Sequence, residues 1–133
     1  MRSNKEYHLS KQIATYLRHH YPAVLFHFEI TGSNLSKAQS GKLKAIQGGR
    51  GFPDLQILNA NPKWRGIFFE LKKESPYLKD EVTLKADEHI QEQAEYHKKL
   101  RNAGHEVHFV WDFDKAKYLL DKYLNDYNDE HPF

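Results

Sequence analysis

A chain of 133 residues is long enough for one domain with a hydrophobic core of its own. It has no cysteine, which excludes disulfides and thiolate metal sites and suits a reducing cytoplasm; no apolar run approaches the ~20 residues that cross a bilayer, and Met1–Glu6 lacks the features of a signal peptide. With a net charge of only +2, any affinity for nucleic acid must come from where charge is placed and not from its total.

The spacing predicts a helix over Asn4–His20, with Leu9, Ile13, Tyr16 and Leu17 at i, i+4, i+7 and i+8. Ser3 and Glu6 have the form of a capping box at its start, and Pro22 follows its end. Ala23–Ile30 alternates: Val24, Phe26, Phe28 and Ile30 form one face of a strand and Leu25, His27 and Glu29 the other. On that pattern Glu29 is first a solvent-facing strand residue and only second an acid near a site. Thr31–Phe52 is irregular, carries Lys37, Lys42, Lys44 and Arg50, and contains no acid. It reads as an arm that grips phosphates, with glycines letting the backbone approach closely; a solvated loop or a short helix from Leu35 to Ile46 competes with that.

Asp54–Leu58 and Gly66–Lys72 read as the two strands of a hairpin, turning at Asn59, Asn61 and Pro62. The two-residue period puts Glu70 and Lys72 on one face and Ile67, Phe69 and Leu71 on the other, which should be the better buried. With Asp54 opening the first strand, two carboxylates and an ammonium converge. Oxygen ligands for a hard divalent ion beside a cation are what metal-assisted phosphodiester hydrolysis requires.

After a polar connection over Ser75–Leu84, a helix runs to about Ala103, with Gly104 just past its end. Ile90, Gln93, His97 and Leu100 share the face that should meet the sheet, so Gln93 is a polar side chain that needs a partner, either at the site or at the boundary of the apolar face. A strand over Glu106–Trp111 and a helix over Phe113–Leu124 follow, then a polar, frayed tail from Asn125 to Phe133. The order implies an α/β fold: one central mixed sheet flanked by helices.

Pro53-Asp54 followed by Glu70-Leu71-Lys72 resembles the signature of the PD-(D/E)xK nucleases. The Gly51-Phe52-Pro53-Asp54 block, the helical Gln93 ahead of Tyr96 and Leu100, and an acid in the first helix are similar to the VRR-NUC branch. The resemblance implies a Mg²⁺- or Mn²⁺-dependent endonuclease with the single-domain nuclease core. Asp54, Glu70 and the Leu71 carbonyl would be metal ligands, with Lys72 and Gln93 catalytic and Glu6 either completing the site or only capping its helix. Lys37, Lys42, Lys44 and Arg50 would bind nucleic acid. Relatives of this size act on branched DNA such as Holliday junctions, usually as homodimers, so those partners are expected here, with no membrane. A catalytically silent nucleic-acid-binding module on the same fold is the alternative. A zinc site is disfavoured, since the nine His are scattered and the tight pair His19–His20 sits at a helix end.

Overall fold

A computed structural model describes residues 4–29, 36–48 and 51–130, the last five by backbone alone. Ser3, Ile30 and Arg50 lie outside the described residues, and with them the Ser3 half of the expected capping box and one expected phosphate contact.

Four strands and four helices follow in the order α1 (Asn4–His20), β1 (Phe26–Phe28), α2 (Lys37–Ile46), β2 (Leu55–Ile57), β3 (Ile67–Leu71), α3 (Glu88–Asn102), β4 (Glu106–Val110) and α4 (Phe113–Glu130). The strands make one sheet in the order β1-β2-β3-β4. β1, β2 and β3 are antiparallel neighbours, and β4 joins β3 in parallel after the α3 crossover. The sheet is therefore mixed, as the hairpin and crossover imply.

One face of the sheet holds the main core. Leu9, Ile13 and Leu17 form a buried stripe at i, i+4 and i+8 on α1 and pack with Leu55, Ile57, Ile67, Phe69 and Leu71 of the hairpin. Ala116, Leu120, Tyr123 and Leu124 of α4 close this layer. The other face was expected to be the more open one, but it is covered too. Phe68 and Glu70 are each 4% exposed: His97 of α3 lies over Glu70, and the rings of Phe52 and His105 pack against Phe68. Every residue of β3 is buried, as a strand covered on both faces should be.

Of the readings of the lysine-bearing segment, the short helix is the one found, and α2 agrees with Leu35–Ile46 apart from its start. Ser36 and Gln39 supply its capping box: the Ser36 hydroxyl accepts from the Gln39 amide, and the Gln39 side chain accepts from the Ser36 amide. α4 runs on to Glu130, through residues expected to fray beyond Leu124. Among the described residues no helix is long and apolar enough to cross a membrane.

A polar clip ties α1 to α4. The hydroxyls of Tyr16 and Tyr21 both donate to Asp121 Oδ1, the second at 2.8 Å, and Lys117 Nζ donates to Oδ2 at 3.1 Å. Partial burial works against the Asp121 charge, but these three donors outweigh it and hold the carboxyl below the usual carboxylate range. A carboxyl depressed in the folded state contributes stability above its unfolded pKa of about 3.9 and loses it as pH falls through the folded value. Asp121→Asn is thus expected to melt below wild type near neutral pH, with the gap narrowing below about pH 4. Thermal melts of both proteins between pH 7 and pH 3 check this; a gap that is constant with pH would contradict it.

Candidate active site

Strand register assembles the candidate site from the sequence upward. Leu55 is opposite Phe69, and Phe28 is opposite Leu55, all with side chains toward the main core. One residue further along in the same registers, Glu29, Asp54 and Glu70 form a cross-strand row on the opposite face, and Phe109 of β4 pairs with Glu70. Hydrogen bonds fix Asp54 to both neighbouring strands: its carbonyl accepts from the Glu29 amide at 2.7 Å, and its Oδ2 accepts from the Leu71 amide at 2.8 Å. Pro53, buried just before it, has no amide hydrogen to leave unpaired where β2 begins.

Gly51 sets the distance between this row and α3. Its φ is +86°, and a Cβ there would lie 3.1 Å from the Gln93 Cα and 3.2 Å from the Tyr96 Cβ. Only glycine adopts that conformation freely and lets the Gly-Phe-Pro-Asp block lie against α3 at Gln93.

The resulting open cleft, about 710 Å³, is lined by Glu29, Asp54 and Glu70, by His27 and Gln56, by Gly51 and Phe52, by His89 and Gln93, and by Leu43, Lys44 and Gln47 of α2. Glu70 is its most perturbed group. Burial, then the charge and hydrogen bonding of Asp54, push its carboxyl up to about 10; Lys72 pulls the other way, and the Glu6 charge raises it further. Glu6, Asp54 and Lys72 thus each act on Glu70 electrostatically. The Lys72 ammonium also lies 6.0 Å from the centre of the Phe109 ring.

α3 presents an unusual face to the sheet: its buried residues are Gln93 and His97, both polar and one turn apart. Gln93 Nε2 is 3.2 Å from His89 Nε2, while its Oε1 is buried with no hydrogen-bond partner. His97 packs 4.7 Å from the Phe109 ring and places Nε2 3.5 Å from Glu70 Oε1, an oxygen that is likewise buried and unpartnered. Burial, then the positive charges of Arg101 and Lys72, lower the His97 pKa to about 4, so the ring is neutral at neutral pH. Leaving a buried polar group unsatisfied costs about 1–3 kcal/mol, and three sit together here. Such a cluster fits a site that binds something better than it fits a core.

The expected residues are distributed as follows. Asp54, Glu70 and Gln93 line one cleft, and Glu6 and Lys72 lie within electrostatic reach of Glu70. Of the expected phosphate contacts, Lys44 lines the cleft, whereas Lys37 and Lys42 are exposed on α2 away from its wall. Lys42 is about 200° round the helix from Lys44. Glu29 meets both of its readings: its side chain is 42% exposed, and it lines the cleft beside Asp54, a placement that only the pairing of β1 with β2, which is not local in sequence, reveals. His97 and His89 were missed as site residues, although the shared face of His97 and Gln93 was legible in their spacing.

Among the described residues, no group of three or more His, Asp or Glu side chains is disposed to hold a metal ion. The oxygens on offer are the Asp54 and Glu70 carboxylates. Two carboxylates suit Mg²⁺, which keeps several waters, and a cation between them would replace the proton that their mutual repulsion otherwise favours.

No protein-family profile and no curated protein matches the sequence. A solved structure described as a VRR_NUC domain protein superposes with a TM-score of 0.66 over 94% of this chain and 92% of that one, at 16% identity. The chain has the VRR-NUC fold. The match spans nearly the whole length of both proteins, so the mixed sheet, its helices and the cleft all lie within it.

Proposed function

We propose that this VRR-NUC-fold chain is a divalent-metal-dependent DNA endonuclease that hydrolyses phosphodiester bonds. The observation that carries the proposal is the crowded Asp54–Glu70 carboxylate pair at the wall of an open cleft with Lys72 beside it. Asp54, Glu70 and the Leu71 carbonyl would hold Mg²⁺ or Mn²⁺, which when bound supplies a water of lowered pKa and neutralises phosphate charge. Lys72 then orients the attacking water and balances charge that builds on the phosphate. Gln93 lines the cleft, and its Oε1, without a hydrogen-bond partner among the described residues, is available to accept from a ligand water or the nucleotide. Glu6 adds negative charge that favours the cation.

Lys44 is the cation best placed to meet a phosphate in the cleft. Lys44→Ala is expected to weaken DNA binding across sequences and to reduce the slope of log affinity against log salt by about 1, with a smaller change for Lys42→Ala. Binding titrations at several salt concentrations check this; equal effects of the two variants would remove α2 from the cleft interface.

The preferred substrate in this proposal is branched DNA, cut by a homodimer whose two clefts address two strands of a four-way junction. The test is cleavage of an end-labelled four-way junction and a matched linear duplex with Mg²⁺, Mn²⁺ or EDTA. Paired, metal-dependent nicks in the junction are expected. Equal cutting of both substrates would keep the nuclease and discard the junction preference. Retained binding with no product in either metal would favour a silent binding module on the same fold.

A further inference from the structure

We infer that His97 is a positioning residue for Glu70: its Nε2–H holds the inner carboxylate oxygen and so fixes how the rest of the carboxylate faces the cleft. This rests on the assignment of Asp54 and Glu70 as a metal site. Four observations point the same way. The His97 side chain is 1% exposed and lies one helical turn from Gln93, on the face of α3 that covers Glu70. Its Nε2 is 3.5 Å from Glu70 Oε1, about 0.5 Å longer than a usual N–H···O bond. Among the described residues, neither ring nitrogen, nor Glu70 Oε1, has a hydrogen-bond partner. The ring is also pinned against Phe109, which pairs with Glu70 across β3 and β4, so it cannot turn away without opening the sheet–helix interface.

An imidazole Nε2 can carry an N–H, and among the described residues the buried acceptor that it faces is Glu70 Oε1. Held there, Glu70 loses one of the two ways it could rotate, and its free oxygen is presented to the cleft ready for a cation. Partners of ligating carboxylates act in this way, and losing one typically costs metal affinity 10–100-fold.

The experiment is Mn²⁺ binding followed by electron paramagnetic resonance in wild type, His97→Leu and His97→Gln, with melting temperatures taken in EDTA. His97→Leu, close in volume but without a donor, is expected to bind Mn²⁺ about 10–100-fold more weakly. His97→Gln, which carries an N–H at similar reach, is expected to recover most of that loss. A merely structural histidine would lower the melting temperature of His97→Leu and leave its Mn²⁺ affinity at the wild-type value, and that result would overturn the assignment. A second measurement needs no variant: the ring ¹⁵N shifts of His97 in wild type saturated with diamagnetic Mg²⁺, where Glu70 is a carboxylate, should show the proton on Nε2. A proton on Nδ1 would exclude donation to Glu70 and overturn the inference. If wild type itself binds no Mn²⁺, the metal site falls and His97 with it; if wild type binds and His97→Leu binds equally, only the role of His97 falls.

Discussion

Asp54→Asn is expected to abolish metal-dependent cleavage, by about 10³-fold or more, while leaving the protein folded and able to bind DNA. The loss follows from removing a charged ligand from an ion worth several kcal/mol of transition-state stabilisation, at 1.36 kcal/mol per tenfold in rate. The retained fold follows from the hydrogen bond to Leu71: an Asn side-chain oxygen can accept from the same amide at the same place. Stability in EDTA should even rise, because the substitution removes the negative charge that most strongly opposes ionisation of the buried Glu70, after burial itself. The two effects have opposite signs. Mg²⁺ should therefore raise the melting temperature of wild type and not of Asp54→Asn, since only a protein that binds the ion is stabilised by it. Cleavage rates and melts of the two proteins in EDTA and Mg²⁺ check all three statements, and full activity in Asp54→Asn would remove Asp54 from the site.

The largest effect on stability is expected from Phe69→Ala, at about 3–5 kcal/mol. Phe69 is fully buried, in the main core with α1 and α4, on the opposite face of β3 from its neighbour Glu70. Truncating it leaves a cavity where the layers meet, and the stiff neighbours Ile67 and Leu71 on the same strand face cannot fill it by rotamer changes alone. Typical domains are stable by only 5–15 kcal/mol, so a large share of the fold's stability would go. Since β3 carries Glu70 and leads into Lys72, the site would loosen with it. Urea unfolding monitored by tryptophan fluorescence and far-UV circular dichroism checks the size; a loss below about 1 kcal/mol would mean that this layer is far less tightly packed than the structure shows.

What the sequence revealed was mainly local periodicity. The helical repeat of Leu9, Ile13 and Leu17 gave α1 with the bounds found in the structure, and the alternation around Glu70 put it on the opposite face from Phe69. Those two periods also set Gln93 and His97 on one face of α3. What stayed hidden depends on pairing across the chain. Glu29 joins the carboxylate row only because β1 aligns it with Asp54, and nothing within β1 specifies that register. Phe68 is buried where Phe52 and His105 meet it from distant parts of the chain, and His97 meets Glu70 because α3 packs on that face of the sheet. α2 is a different case: a short helix over Leu35–Ile46 was among the readings of this polar, glycine-containing run, and the capping-box spacing of Ser36 and Gln39 is the local feature that favours it. No residue of α2 is buried, which leaves the helix to present its lysines rather than to build the core.

The central claim is that Asp54 and Glu70 bind a divalent cation between them. Diffraction from crystals grown with Mn²⁺ tests it most directly, because the anomalous signal locates the ion without assumptions about activity. The account predicts a peak within about 2.0–2.5 Å of oxygens from both carboxylates, with the Leu71 carbonyl and waters completing the shell. No peak, or a peak held by His27 and Glu29 with Asp54 and Glu70 left out, would contradict it.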